Sequence, residues 1–256
     1  MSMKKILGCI KKADYEYELI KDGDKIAVGI SGGKDSVLLL YALSLYQRFA
    51  KKKFEILGIH INMGFPNMDM SKIEKFYKDL NIPYISVDND IYSILKQHED
   101  ENGKLPCSIC SRMKKAAVNQ VAKENGCNKV AFAHHADDAI ETFFMNMIYG
   151  GRVATFSPEM FLDNIQLQFI RPLIYAHENW ISKAAKEKDI PVCKSTCPND
   201  KHTQREVIKN MLHDIYKQYP QAKENFLLML YNEEQFDLWH RKAIMPKGKK
   251  IINGGE

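Results

Sequence analysis

A glycine-rich segment at residues 31–36 has the groups that bind a chain of phosphates. Its sequence, SGGKDS, follows the apolar run 26–30 and precedes the apolar run 37–43. Small residues, free backbone N–H groups, hydroxyls and one lysine at a helix start suit an anion, because the helix N-terminus is electropositive. The segment matches neither the Walker A motif nor the dinucleotide fingerprint. It indicates a nucleotide, although a plain glycine turn beside a surface lysine is the alternative.

Four of the six cysteines form two widely separated groups. Cys107 and Cys110 lie three residues apart at a predicted helix start, and Cys193 and Cys197 lie four apart far downstream. In a cytosolic chain such groups are more often reduced thiols or metal ligands than disulfides. Four thiolates fit tetrahedral zinc, and three fit an iron–sulfur cluster with one open iron. Spacing alone does not choose between these two sites or a redox pair.

Two further segments have chemically useful side chains where strands are predicted to end. The turn AHHADDAIET at residues 133–142 puts Asp137 and Asp138 at a helix N-terminus, where they either cap the helix or bind Mg²⁺. His60 and Met63 end an earlier strand, and they either border a bound base or simply close a glycine turn. Ligands of parallel α/β sheets bind at these carboxyl ends.

Length and composition bound the kind of protein. A chain of 256 residues can bury a large core in one domain, with or without a small appendage. The net charge of +5 permits RNA binding without demonstrating it. There is no apolar stretch of the roughly 20 residues that cross a bilayer, and no signal peptide is recognisable. We therefore expect a cytoplasmic protein with no membrane partner.

Hydrophobic patterns predict alternating strands and helices, which indicate an α/β fold with a parallel sheet and helices on both faces. Strands are predicted at 25–30, 54–62, 83–87, 129–133 and 169–173. Helices are predicted at 1–22, 35–50, 70–80, 108–126, 136–149, 177–188, 201–218 and 222–240. We expect an N-terminal helical segment at 1–22, a nucleotide-binding domain at 23–192, and a C-terminal helical region with a basic tail at 193–256.

The segment SGGKDS resembles the PP-loop of the N-type ATP pyrophosphatases, which cleave ATP between the α and β phosphates. The resemblance implies the Rossmann-like adenine nucleotide alpha hydrolase fold. It also implies that Lys34 neutralises phosphate charge and that Asp35 contacts Mg²⁺ or orients the loop. The residues expected to hold pyrophosphate are Ser31, Gly32, Gly33 and Ser36.

A second resemblance narrows the family. Pro106-Cys107-x-x-Cys110-Ser-Arg is similar to an element of the tRNA 2-thiocytidine synthetase family, in which two such cysteines and a later one hold a [4Fe-4S] cluster. Cys197 corresponds to the later cysteine, because Gln204 and Arg205 follow at the expected distance. The family usually has a close pair of cysteines at this place, whereas Cys193 and Cys197 are four residues apart here. This difference leaves Cys193 as the alternative ligand.

The stretch HHADDAIETFFMN resembles another signature of the same family. The likeness implies that Asp137 and Asp138 lie beside the phosphates, with Asp137 catalytic, and that His134 shapes the nucleotide pocket. It implies that His60 and Met63 border the adenosine.

Together these motifs imply an enzyme that thiolates tRNA. ATP, Mg²⁺ and a [4Fe-4S] cluster are the expected cofactors. The expected partners are tRNA, a sulfur donor such as a cysteine desulfurase or sulfide, and a second copy of the chain. Uridine thiolation and lysidine formation are alternative reactions, and a zinc-stabilised RNA-binding module without catalysis is an alternative of another class.

Overall fold

The computed structural model describes residues 2–101, 103, 105–194, 196–197 and 204–232. The strands are β1 (Lys25–Ile30), β2 (Glu55–Asn62), β3 (Tyr84–Asp88), β4 (Lys129–Ala131), β5 (Glu159–Leu162) and β6 (Leu167–Ile170). The helices are α1 (Ser2–Tyr17), α2 (Lys34–Tyr46), α3 (Ser71–Asp79), α4 (Ile91–Lys96), α5 (Cys107–Glu124), α6 (Ala136–Gly150), α7 (Glu178–Glu187), α8 (Gln204–Gln218) and α9 (Ala222–Met229).

The strands form one sheet in the order β3-β2-β1-β4-β6-β5. From β1 the chain builds outward through β2 and β3, and it then adds β4 and β6 on the other side of β1. The order therefore reverses between β1 and β4, and sheets of this kind bind ligands in the crevice at such a reversal. The residues that follow β1 and β4 are the glycine-rich loop and the histidine turn, so both border the crevice.

Alternate residues of β1 pack into different apolar layers. Ile26 and Val28 belong to a core shared with α1, α2 and α7, whereas Ala27 belongs to a core shared with α5. Helices therefore cover both faces of the sheet, as predicted. Gly58 of β2 is required by close packing, because a Cβ atom there would overlap Leu40 of α2.

The sheet is parallel as predicted, apart from one additional strand at an edge. Strand β5 pairs antiparallel with β6, whereas the other neighbouring pairs are parallel. Only residues 163–166 join these two strands, and a connection of that length makes a hairpin and not a crossover.

Most predicted elements are present with small changes at their ends. The first helix ends at Tyr17, and the last strand occupies Leu167–Ile170. Helix α4 and strand β5 were not predicted, because both are short segments with weak periodicity. Within the described residues no helix is long and apolar enough to cross a membrane. The basic tail lies outside those residues, and the domain boundaries stay predictions.

Candidate active site

Hydroxyl groups close the loop at residues 31–36 into a tight turn. The Ser36 hydroxyl donates to the carbonyl of Gly33 at 2.9 Å and accepts from the backbone N–H of Ser31 at 3.1 Å. Gly32 has a φ of +89°, which favours glycine. The loop leads directly into α2, whose N-terminus is positive.

A cavity of about 300 Å³, here called the loop cavity, opens beside this turn at the ends of β1 and β4. Three segments line it: the end of β1 with the loop, the start of α5, and the end of β4. The lining residues are Gly29, Ile30, Ser31, Asp35, Ser36, Ser111, Lys114, Lys115, Val118, Phe132, Ala133 and His134. Its position at the strand reversal is where this fold class binds nucleotides.

Asp35 provides a carboxylate in the loop cavity. Its Oδ1 atom is buried and accepts no hydrogen bond from the described residues, although the ammonium of Lys34 lies 3.2 Å away. Mg²⁺ prefers oxygen ligands, and this oxygen has only the Lys34 ammonium beside it. The contact between Asp35 and the metal stays a prediction.

Lys34 is held by carboxylates and does not line the loop cavity. Its ammonium lies 3.1 Å from Oε1 of Glu178 and 3.2 Å from Asp35, and Lys209 binds the other oxygen of Glu178 at 2.8 Å. Burial opposes the charged form of Lys34, but Asp35 and Glu178 outweigh it and raise the pKa of Lys34. The lysine therefore stays charged, and its predicted contact with phosphate requires exchange of these partners.

The two aspartates of the histidine turn support helices instead of lining the loop cavity. Asp138 and His135 form a reciprocal cap on α6, with bonds of 3.0 and 3.3 Å. Asp137 accepts from the backbone N–H of Glu178 at 2.8 Å and lies 2.5 Å from the ammonium of Lys223. Burial opposes its charged form, but His177, Lys223 and this N–H lower the pKa of Asp137. Its catalytic role stays a prediction.

Asp137 instead borders a second cavity of about 510 Å³ between α7, α8 and α9. Its walls contain Lys183, Lys186, Lys209 and Lys223, of which Lys209 and Lys223 pair with acidic residues.

His134, from the same turn, does line the loop cavity. Burial lowers its pKa, Asp138 opposes the change and Arg171 adds to it, so that the pKa is about 4. The ring is therefore neutral near pH 7. Its Nδ1 atom is buried and has no hydrogen-bond partner among the described residues, so it is available to a ligand.

The two residues predicted to border adenosine lie in different places. His60 is buried beneath the loop, with its Nδ1 atom 3.0 Å from the carbonyl oxygen of Ile30. Met63 lines a different cavity, which contains the cysteines. The structure thus places His60 as a support for the end of β1, and the adenosine contacts of both residues stay predictions.

Four cysteines line one cavity of about 470 Å³, here called the cysteine cavity. Cys107 and Cys110 come from the start of α5, and Cys193 and Cys197 come from the segment after α7. Burial raises the pKa of the Cys110 thiol, and the neighbouring Cys197 and Cys107 thiols raise it further. The two cysteine groups, 83 residues apart between Cys110 and Cys193, therefore meet in the fold.

The cysteine cavity has donors of one chemical kind, because its four thiols can all act as thiolates. Thiolate donors select zinc or iron–sulfur clusters. Within the described residues, no three His, Cys, Asp or Glu side chains lie close enough together to hold one metal ion.

Ser31, Ser111 and Lys114 line both cavities and form what we call the shared wall. Lys114 is half-buried, and burial lowers its pKa while Cys110 opposes the change. In the described part of the chain no carboxylate pairs with it. The sequence analysis did not select Lys114 as a site residue, although its position four residues after Cys110 on a helix predicts that both share one face.

Comparison with known proteins agrees with the family that the sequence motifs resemble. A family model described as a PP-loop domain matches residues 3–215. A tRNA-cytidine(32) 2-sulfurtransferase from Neisseria meningitidis serogroup C (strain 053442) is 34% identical and aligns with 99% of this chain and 81% of its own. One from Dichelobacter nodosus (strain VCS1703A) is 37% identical, with coverages of 89% and 85%.

Among solved structures, the U34-tRNA thiolase NcsA from Methanococcus maripaludis, with its [4Fe-4S] cluster, superposes with a TM-score of 0.71 at 24% identity. The superposition covers 92% of this chain and 80% of that one, and it supports the same fold. From the matching domain and these sequence relatives, we conclude that the chain belongs to the tRNA-cytidine(32) 2-sulfurtransferase family of PP-loop proteins.

Proposed function

We propose that this protein is an ATP-dependent tRNA sulfurtransferase that converts a cytidine of the anticodon loop to 2-thiocytidine. The observation that supports the proposal most directly is the shared wall. A cavity suited to a nucleotide and a cavity with four thiols both include Ser31, Ser111 and Lys114. Activation by ATP and delivery of sulfur can therefore take place on one substrate base without its release.

In the first half-reaction, ATP lies in the loop cavity with its phosphates against residues 31–36. The C2 oxygen of cytidine attacks the α-phosphorus, and pyrophosphate leaves with the electron pair of the broken bond. Asp35 would hold Mg²⁺, which would neutralise phosphate charge, while the loop amides and the start of α2 stabilise the negative charge. His134 is neutral and offers an uncharged ring to the nucleotide.

In the second half-reaction, a sulfur nucleophile adds to C2, and AMP leaves with the oxygen. Cys107, Cys110 and Cys197 would hold the [4Fe-4S] cluster, which would supply an iron that can carry the sulfur. Lys114 stabilises the charge that develops as sulfur adds, because this residue lines both cavities. The sulfur comes from sulfide or a cysteine desulfurase, and the enzyme acts as a homodimer.

The target base must leave its stack to enter the site. Single-stranded loop nucleotides do so at low cost, which favours the anticodon loop as substrate. Lys115 of α5 is exposed and lines the loop cavity, and the exposed Arg112 lies on the same helix, so both offer contacts to its phosphates.

Nucleoside analysis of tRNA from a strain that lacks the gene tests the function. We expect loss of 2-thiocytidine alone, with recovery on expression of the wild-type chain but not of Cys107→Ser. Unchanged 2-thiocytidine, or loss of a thiouridine instead, would contradict the proposal.

Purified protein separates an enzyme from a binding module. Anaerobically prepared protein should contain iron and sulfide, and it should release pyrophosphate from ATP only when tRNA is present. Zinc without iron, together with tRNA binding but no pyrophosphate release, would indicate a non-catalytic RNA-binding protein.

A further inference from the structure

We propose that the cavity between α7, α8 and α9, here called the lysine cavity, binds the sugar–phosphate backbone of tRNA beside the target nucleotide. The inference rests on the proposed function, because it takes tRNA as the substrate. Neither half-reaction uses this cavity of about 510 Å³. The inference adds to the proposed function a place where RNA outside the reacting base is held.

Two helices present polar stripes to the lysine cavity. The lining residues of α7 recur at intervals of three and four, and so do those of α8, which puts each set on one helix face. The stripe on α7 consists of Asn179, Ser182, Lys183 and Lys186, and the stripe on α8 consists of Lys209, Leu212, His213 and Tyr216. A helix face that packs against protein is largely apolar, whereas Leu212 is the one aliphatic residue in these two stripes. The stripes therefore suit a polar ligand.

The carboxylates of the lysine cavity are already paired with cations. The pairs are Asp137 with Lys223 at 2.5 Å, Glu178 with Lys209 at 2.8 Å, and Glu141 with Arg205 at 3.1 Å. These three carboxylates form the inner part of the wall, since between 7% and 28% of their side-chain surface is exposed. They therefore do not cancel the charge of further lysines at the opening.

The opening of the lysine cavity has two such lysines. Lys183 and Lys186 are exposed, and within the part of the chain that the structure describes neither of them pairs with a carboxylate. They lie three residues apart on one face of α7, so their ammonium groups are neighbours. Two adjacent cations without an acidic partner attract an anion from solution. The opening of the cavity is therefore an anion-binding surface.

The distribution of charge favours an RNA backbone over free pyrophosphate. Pyrophosphate concentrates several negative charges in a small group, and the inner wall would oppose it with carboxylates. An RNA backbone has one charge on each phosphate and can follow Lys183 and Lys186 along the opening. Tyr216 adds an aromatic ring and Asn179 adds an amide to the walls, which suit a base and a ribose as well as phosphate. An RNA strand is therefore the ligand that this cavity fits.

The lysine cavity lies beside the loop cavity. The turn at residues 133–142 contributes to both, because His134 lines the loop cavity and Asp137 lines the lysine cavity. Three residues of chain span at most about 11 Å, so the two cavities are neighbours. A tRNA whose target base enters the loop cavity therefore has its adjoining backbone within reach of Lys183 and Lys186.

Binding of a fluorescently labelled tRNA transcript to the full-length protein, measured by anisotropy at several salt concentrations, tests the proposal. We expect the double variant Lys183→Gln, Lys186→Gln to raise the Kd about tenfold. The slope of log Kd against log salt should fall by about 1.5 units, because each phosphate contact contributes about 0.7–0.9 unit. A transcript with uridine in place of the target cytidine should show the same changes, since contacts to phosphate read no sequence.

The matched control is the double variant Lys75→Gln, Lys78→Gln. It makes the same change of charge at the same spacing on an exposed face of α3, outside the three cavities described above. Its Kd and its salt slope should match those of the wild type. Circular dichroism verifies that both double variants are folded.

The other outcomes distinguish this inference from the proposed function. Equal affinities and equal salt slopes in the wild type and the Lys183, Lys186 variant, with both binding tRNA, would overturn the inference alone. Calorimetric titration with pyrophosphate examines the other anion: loss of its binding in that variant, with unchanged tRNA affinity, would make the cavity a product site instead. A wild-type protein that does not bind tRNA would contradict the proposed function itself.

Discussion

The ammonium of Lys34 lies 3.1 Å from Oε1 of Glu178, so the loop lysine is bound to the first residue of α7. Both side chains are about 70% buried, with 29% and 28% of their surfaces exposed. The same carboxylate also binds Lys209 of α8. Glu178 thus links the loop at residues 31–36 to the C-terminal helices, and it would compete with the phosphate that Lys34 is predicted to bind.

Removal of that competitor should strengthen ATP binding. We expect Glu178→Gln to lower the KM for ATP roughly threefold, because a partly exposed ion pair is worth about 0.5–1 kcal/mol. Steady-state pyrophosphate release measures the effect. Glu187→Gln makes the same charge change on the same helix and should leave the KM unchanged. A KM that rises in Glu178→Gln would mean that the glutamate positions Lys34 for phosphate.

Lys114 should be needed for sulfur transfer. We expect Lys114→Met to slow formation of 2-thiocytidine about 100-fold, because a charged group at the reacting centre contributes on this scale. Liquid chromatography of digested tRNA measures the product, and iron analysis verifies that the cluster is retained. Lys123→Met, near the other end of α5, serves as the control. Retention of full activity by Lys114→Met would exclude this role.

The loop should tolerate alanine at one glycine but not at its neighbour. Gly32→Ala should lower the free energy of unfolding by about 1–2 kcal/mol, since an L-residue at φ +89° is strained and its Cβ atom would crowd Cys193 and Met70. Gly33→Ala should stay within about 1 kcal/mol of the wild type, because Gly33 has a φ of −73° and only Ser31 nearby. Urea denaturation measures both, and equal losses would refute the difference.

His134 should make stability depend on pH in a defined direction. Its pKa is about 4 in the folded protein and ordinarily 6.5, so the unfolded chain binds the proton more tightly. The contribution of His134 to the free energy of unfolding is fully present above pH 6.5, and it is lost as the pH falls toward 4.

The matched comparison is with His134→Gln, which does not titrate. Between pH 7 and pH 4, the wild type should lose about 2 kcal/mol more unfolding free energy than the variant, after allowance for partial exposure. Chemical denaturation at a series of pH values measures the difference. Parallel curves would show that the ring titrates alike in both states.

Local sequence patterns were sufficient to predict the parts of the site that lie within one segment of the chain. The loop at 31–36 is an apolar strand, a glycine turn and a helix start in direct succession, and the structure has the same succession. The cap on α6 by His135 and Asp138 is also local, since its members are three residues apart. The order of strands and helices was predictable for the same reason, apart from the short α4 and β5.

Partners that come from distant segments were not predictable. The pattern around Asp137 favoured a place beside phosphate, but its carboxylate turns to Glu178 and Lys223, which belong to other helices. The pairing of Lys34 with Glu178 spans 144 residues. No local periodicity specifies such contacts, because they depend on how α7, α8 and α9 pack against the loop.

The sequence by itself determined the chemical groups of this protein: a phosphate-binding loop, a histidine turn and two pairs of cysteines, each specified by residues close together in the chain. The tertiary structure alone decided which of these groups meet. It brings Cys193 and Cys197 into one cavity with Cys107 and Cys110, and it makes Lys114 part of the walls of both that cavity and the loop cavity. The physical reason is that burial of the apolar faces of the helices against the sheet determines the distances between distant segments. Spacing along the chain determines only which residues are close within one helix, strand or turn.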